Sequence, residues 1–494
     1  MRFPTAFVKT FSPALWLAVV APWIGSQAAA PSDAPPLSDV IRAPRPNGGE
    51  YFGLYLLDKK VGYAFNDLTL VPGRKDQVRA VSNFVFRATV GNKVAERIHN
   101  ETRIYESKPG GRLLSFVIED QGDGGNQTFK GTASPDGIRV VQSRPGQPDQ
   151  IRKLPPTTEI VEDADQARVA VLRNKAVSGT ILDGQDLQNY RADTTLGPVE
   201  QRLVRGVNVR LHKVVTLVQK EKIPIEGFLT DAGEMVEFSL GPNLKALSES
   251  ESVAKRLDVV EVFALTRVVL PKPLPPTIRR VPGTIRLVVT GLPERFQRNS
   301  YREKFQKLSD DKVEVTLSAA DPKLARPASR PVEDPSVGEY LKSSIAVESD
   351  HPEIRQRAAQ IVGTEKNAYR AAQKIVTWVA TNMKKDYGSS ADRASDVLHQ
   401  MKGDCTEHSL LAEALLRAAG IPAKRVDGLV YMVGEDQVPA LYWHEWVEAY
   451  VGEWTQLDPT FNQVVADAGH FALGEESNAE ITPLIGQLKV LEVR

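Results

Sequence analysis

A single cysteine, Cys405, stands among 494 residues. An intrachain disulfide is therefore excluded, and so is a lipid-bearing cysteine behind an N-terminal leader. Net charge is missing too: 62 Lys and Arg balance 62 Asp and Glu, so no overall field gathers nucleic acid or an anionic membrane surface. There is no internal repeat and no Gly-rich phosphate loop, which argues against ATP- or NAD-dependent chemistry and implies no cofactor. Beyond Ala30 no apolar run approaches the ~20 residues that a membrane-spanning helix needs. What remains is ordinary. Hydrophobic content of 41% and charged content of 25% suit a soluble globular chain, and the length exceeds the roughly 250–300 residues at which one core stops growing. Two or three domains are expected.

Arg2 and Lys9 precede an apolar stretch from Phe11 to Ile24, followed by small residues through Ala30. This is the layout of a secretory signal peptide. Ser26 and Ala28 suit the cleavage site, whereas a cut after Ala30 would leave Pro31 first, so the expected leader is residues 1–28. The mature protein is then periplasmic or secreted, with no stable membrane span. The alternative is an uncleaved anchor lengthened by Trp16, Trp23 and Ile24. An idle exposed thiol is a liability in an oxidising compartment, which leaves Cys405 either buried and inert or in use.

Residues 29–48, rich in Pro, Ser and Ala, read as a tether. Residues 49–275 carry strand patterns: Tyr51 to Leu57 and Val61 to Tyr63 around Asp58-Lys59-Lys60, then Phe84, Phe86 and Ala88 alternating with polar positions. Further strands are expected at Leu113 to Ile118, Ile138 to Val141, Val207 to Val218, Met235 to Leu240 and Val259 to Ala264. Together they predict a large antiparallel all-β region, a sandwich or an open barrel-like sheet. The stiff run VLPKPLPP leads into a small β unit and linker over residues 276–335. Residues 340–494 change to helical spacing, with helices expected over Pro352 to Val362 and Glu365 to Lys385 and a short one around Val397 and Leu398.

The chemistry lies beyond Gly403. Asp404-Cys405-Thr406-Glu407 is a capping-box pattern, followed by Leu410, Leu411, Ala414, Leu415 and Ala418 on one helical face. Cys405 then occupies the first helical position, and Gly420 with Pro422 behind it stops the helix. A thiol there faces unpaired N–H groups and the positive end of the helix dipole, which lowers its pKa. A nucleophilic thiolate also needs a base and a group to orient that base. His444 lies in a strand from Tyr442 to Val451, and a turn at Gly452-Glu453 leads into a second strand, Trp454 to Leu457, ending at Asp458. Register decides whether the two meet. A two-residue loop pairs Val447 with Asp458 and sends the carboxylate to the far face, whereas a three-residue loop pairs Trp446 with Asp458, diagonal to His444 on the same face.

The segments GDCTEHSLLAEALLRAAGIPAKRVDGLVY and HEWVEAYVGEWTQLDPTF resemble the transglutaminase-like superfamily, in its bacterial exported branch. The resemblance implies a papain-like α+β domain over 340–494, with Cys405, His444 and Asp458 as catalytic triad and acyl transfer through a thioester. It leaves the acceptor open. Water gives a peptidase or amidase acting on an envelope protein or peptide, which is the expected activity; an amine gives a cross-linking transamidase, and inactive members would be binding modules. Neither substrate identity nor oligomeric state is legible.

Glu445 departs from the family, which commonly has a small residue after the His; it binds a substrate cation or faces solvent. His408 lies one turn after Cys405, so that Cys405, His408, His444 and Asp458 form a conceivable metal set. No metal is expected, because catalytic zinc sites rarely combine one thiolate with a triad-shaped arrangement. Trp443, Trp446 and Trp454 either line a groove or pack the core. Asp467 and His470 have no evident role beyond a structural hydrogen bond, and His99, His212, His351 and His399 do not rise above background.

Overall fold

The computed structural model describes residues 49–90, 93–122, 126–183, 188–204, 206–219, 224–241, 243–322, 328–344, 346–386, 391, 393–475 and 481–494. The expected leader and tether lie outside them. Two compact units divide the chain near residue 260.

Within the first unit, consecutive strands pair from Glu50–Leu56 through Gln150–Leu154, and again from Val177–Leu182 through Leu244–Glu249. The first and last of these also pair, Tyr51 opposite Glu249 and Leu56 opposite Leu244, which joins both runs into one 14-stranded sheet. Among the described residues, sequence neighbours fail to pair only between Gln150–Leu154 and Val177–Leu182, where the chain forms the helix Gln166–Arg173. Alternation sets the faces. Phe52, Leu54 and Leu56 are buried while Tyr51 and Tyr55 are half-exposed, and Phe116, Ile118, Phe129, Val140 and Val169 share one core cluster. The strand expected at Val259 to Ala264 is not there. Val262–Thr266 is a helical turn instead, because the Glu261 carboxylate accepts the Ala264 N–H at 2.5 Å and caps it.

The second unit is α+β. Its main sheet runs Val268–Val269, Pro439–Tyr450, Ala423–Val433, His470–Glu475, with Trp454–Leu457 also paired to Pro439–Tyr450. The helix Cys405–Ala418 packs on that sheet and against the helices Pro352–Val362, Ala368–Asn382 and Ala394–Gln400. Ala372, Ile375, Val379, Leu411, Leu415 and Val447 are members of the shared core. Pro352–Val362 lies where the periodicity predicts it. The next helix is shorter than Glu365 to Lys385: Asn367 caps its start by accepting the Arg370 N–H at 3.0 Å, and Met383 is already extended. Lys384–Lys385 is thereby freed to pair with Lys402–Gly403, beside the Cys405 helix. A separate four-stranded sheet contains Glu303–Lys307, Lys312–Ala319, Gly283–Thr290 and the C-terminal strand Lys489–Val493. Among the described residues no helix is long and apolar enough to cross a membrane.

Candidate active site

Cys405 is the first residue of its helix. The capping box forms as its sequence predicts: the Asp404 carboxylate accepts the Thr406 N–H at 2.7 Å, and Glu407 reaches back to the Asp404 N–H at 2.9 Å. The Ser409 hydroxyl donates to the Glu445 carbonyl at 3.0 Å, tying the helix to the strand that carries His444. The backbone N–H of Glu445 points at the Cys405 thiol. The sulfur therefore lies against the backbone of the residue that follows His444.

The hairpin has the odd loop that brings His444 and Asp458 to one face. Tyr450 pairs with Trp454 and Val447 with Leu457, leaving Val451, Gly452 and Glu453 as the loop, and Gly452 adopts φ +115°, where a side chain would be strained. His444 Nε2 lies 2.9 Å from Asp458 Oδ2. Its Nδ1 is buried and has no hydrogen-bond partner among the described residues. The other oxygen of Asp458 accepts the backbone N–H groups of Thr460 and Phe461, at 2.7 and 3.2 Å.

A second imidazole shares that carboxylate. His470 Nε2 lies 3.1 Å from Asp458 Oδ2, and His470 Nδ1 lies 3.1 Å from Asp467 Oδ1. His470 comes from the strand beyond Ala423–Val433. Gly428 separates the two histidine strands, paired with His444 on one side and with Ala472 on the other. A Cβ at Gly428 would sit 2.1 Å from the Phe471 carbonyl oxygen and 2.8 Å from the Trp446 ring, so only glycine permits this approach. Cys405, Asp458 and His470 are 0% exposed and His444 2%.

Burial pushes the Cys405 thiol well above its ordinary value; Asp404, Glu445 and Glu407 push the same way, and the Glu445 N–H opposes them. The lowered thiol pKa expected from the helix dipole is thus overturned, because loss of solvent and three nearby carboxylates outweigh one helix end. Burial also lowers the pKa of His444, helped by the charges of His470 and Lys385 and opposed by Asp458. Burial acts on His470 in the same direction, but its bonds to Asp458 and Asp467 prevail and raise it to about 9. Asp458 is held far below the carboxylate range: burial is overcome by both imidazoles.

His408 lies on the Cys405 helix, with Nδ1–H donating to the Asp404 carbonyl at 2.5 Å and Nε2 buried without a hydrogen-bond partner among the described residues. His444, Asp458 and His470 each place a donor atom within 4.8 Å of the others. Both Nε2 atoms are at hydrogen-bond distance from one Asp458 oxygen, which calls for a proton on each nitrogen where a metal would need it removed. Glu445 neither faces solvent nor awaits a substrate cation. It is buried, and Arg425 lies 3.4 Å from its carboxylate and 2.9 Å from that of Glu413. Trp443 donates to the Thr266 carbonyl and Trp446 to Gln456, both at 3.0 Å and both in the core, while Trp454 packs on Tyr340 and Tyr450. Lys385 escapes sequence reading: its ammonium lies 4.8 Å from the Phe461 ring, which itself packs 5.1 Å from the His444 ring. No local pattern marks it, since only the early end of its helix brings it there.

Two curated proteins match part of the chain. One, an uncharacterized protein of Haemophilus influenzae, is 33% identical over 98 residues, 19% of this chain and 26% of that protein; another, of Mycobacterium leprae, is 27% identical over 125 residues, 24% of this chain and 44% of that protein. The matches thus span less than half the length of either relative. A solved structure of a candidate cysteine protease from Cytophaga hutchinsonii shares 17% identity at a TM-score of 0.30, over 44% of this chain and 85% of that one. Residues 355–459, which include Cys405, His444 and Asp458, match the transglutaminase-like superfamily. Behind a large antiparallel β region, the chain therefore carries a transglutaminase-like domain.

Proposed function

We propose that the C-terminal unit is a thiol-dependent acyl-transfer enzyme that hydrolyses amide bonds of envelope proteins or peptides, with Cys405 as nucleophile, His444 as base and acid, and Asp458 as the group orienting His444. One observation carries this reading: the lone thiol lies at a helix start against the backbone N–H of Glu445, the residue that follows His444, whose imidazole is held by Asp458 with its other nitrogen unbonded. The sulfur attacks the amide carbon while its proton passes to His444 Nδ1. Collapse of the tetrahedral adduct breaks the C–N bond, and His444 returns the proton to the leaving amine. Water, giving a proton to the same nitrogen, then cleaves the thioester to an acid and the free thiol. The Asp404 carboxylate occupies the first-turn N–H groups of Thr406 and Glu407, which leaves the Cys405 N–H as the helix donor suited to the transient oxyanion. An amine in place of water gives cross-linking instead.

The leader-like residues 1–28 support a periplasmic or secreted mature protein, and mass spectrometry finding those residues intact on the native protein would reverse that assignment. A second reading, an inactive envelope-binding module, has the complete burial of Cys405 in its favour. A peptide-like electrophilic probe separates the two. The enzyme labels at Cys405 far faster when native than when denatured, and loses that advantage in His444→Ala; equal rates in both states establish the binding module.

A further inference from the structure

The hydrogen bonds around Asp458 fix more than the orientation of His444. Both nitrogens of His470 face acceptors: Nε2 the Asp458 carboxylate at 3.1 Å, and Nδ1 the Asp467 carboxylate at 3.1 Å and the Asp467 carbonyl at 3.3 Å. Ionised carboxylates and carbonyls accept only, so the ring needs a proton on each nitrogen and is an imidazolium. Asp467 is itself braced, accepting the Gly469 N–H at 2.8 Å and the Gln463 amide at 2.9 Å. His444 is in the opposite position. Its Nε2 faces Asp458 and must carry a proton, while buried Nδ1 has no acceptor for one among the described residues, so the uncharged ring is favoured.

We propose that His470 is a positioning residue: as a cation clamped between Asp467 and Asp458, it takes up part of the Asp458 charge and so keeps His444 a neutral base with Nδ1 unprotonated while the Cys405 thiol is neutral. The resting site is then a thiol and an imidazole, not a preformed thiolate–imidazolium pair. The upward push on the thiol, the downward push on His444 and the upward push on His470 all agree with this arrangement.

Other charges reach these groups. Lys385 faces His444, Asp458 and Cys405; Asp404, Glu407 and Glu445 face the thiol; the Arg302 guanidinium donates to the carbonyls of Ala466 and Asp467. All of them remain when His470 alone is changed. The Trp446 ring also packs on His470, edge-on at 5.1 Å, but carries no charge.

The inference rests on the enzyme reading and is tested apart from it with the full-length mature protein. The rate of Cys405 alkylation by iodoacetamide is followed against pH, the lone thiol leaving no background. The acid limb reports the neutral fraction of His444, and in His470→Gln it moves to higher pH by about one unit, since removing a nearby cation eases protonation of His444. Asp467→Asn moves it the same way by less. A purely structural role for His470 changes rate and melting temperature but leaves the limb in place, and a preformed ion pair shows the ultraviolet absorbance of a thiolate in the resting wild type at neutral pH; either result overturns the proposal. Nitrogen-15 histidine spectra of the wild type decide the matter even where a variant does not fold. His470, told apart from His99 by means of His99→Gln, shows both nitrogens protonated at pH 7.5, and a neutral His470 overturns the proposal. A wild-type thiol no more reactive than when denatured, with His470 doubly protonated, removes the enzyme reading alone.

Discussion

Each unit of the chain buries a histidine between two acids. In the β region His99 Nδ1 lies 2.7 Å from Asp120, its Nε2 lies 3.7 Å from Glu101, and its pKa, which burial alone would depress, is raised to about 9 by those carboxylates. In the second unit His470 has Asp458 and Asp467 at 3.1 Å each and is raised to about 9 as well. The surroundings differ. The Glu101 side of His99 continues into Arg103, which is bound to Glu101 and Glu159 at 2.6 Å. Asp458 instead passes from His470 to a second imidazole, whose far nitrogen is unbonded. A buried, charged imidazole is thus not in itself the mark of a site. His99 Nε2, like His444 Nδ1, has no hydrogen-bond partner among the described residues, so what sets the second chain apart is the lone thiol against the backbone of Glu445, the residue after His444.

Substitution breaks or sharpens this contrast most strongly at the thiol and the base. Cys405→Ala abolishes probe labelling, and His444→Ala lowers its rate by roughly 10²–10⁴-fold, whereas His99→Gln leaves the labelling rate of folded protein unchanged. A loss in His99→Gln as large as that in His444→Ala would show the two histidines to be one system. Deleting Gly452 creates a two-residue loop, turns Asp458 from the shared face and lowers labelling by about 10²-fold, matched by Asp458→Asn in the intact loop. Full activity in the deletion variant would remove Asp458 from the site.

Stability follows next. Each folded-state imidazole holds its proton more tightly than an unfolded histidine with a pKa of about 6.5 does. The stabilisation is therefore complete below that pH and is lost as pH rises through about 9. Chemical denaturation at pH 6 and pH 9.5 is expected to differ by on the order of 2–3 kcal/mol per histidine, and His99→Gln and His470→Gln each remove one share of the difference. An unchanged difference in His99→Gln would show that the β-region network is not charged. The smallest effect is that of Asp404→Ala, which loses the helix cap at a cost of about 1 kcal/mol, read as a small drop in melting temperature.

Local signals made much of this legible. The capping box at Asp404 to Glu407, the helix stop at Gly420 and the strand at Trp454–Leu457 each depend on residues within a few positions of one another, and each formed where the pattern placed it. The hairpin was half legible: a loop of odd length was required, and the three-residue loop around Gly452 supplies it. In the β region the alternation marked Val207–Val218 and Met235–Leu240, but passed over Asn189–Val204, whose charged and Gly-Pro positions hide a strand that pairing on both sides maintains.

The sequence alone determined that one thiol begins a helix, that a His and an Asp flank a tight turn, and that a β region precedes them, because near-neighbour propensity and periodicity decide such features. Tertiary structure alone decided the electrostatics. Arg425 draws Glu445 inward, Gly428 lets the His470 strand approach until its imidazole meets Asp458, and the early end of the helix Ala368–Asn382 leaves Lys385 beside Phe461. The sign of a pKa shift depends on how much water is lost and which distant charges replace it, and neither quantity is written in the spacing of residues along a chain.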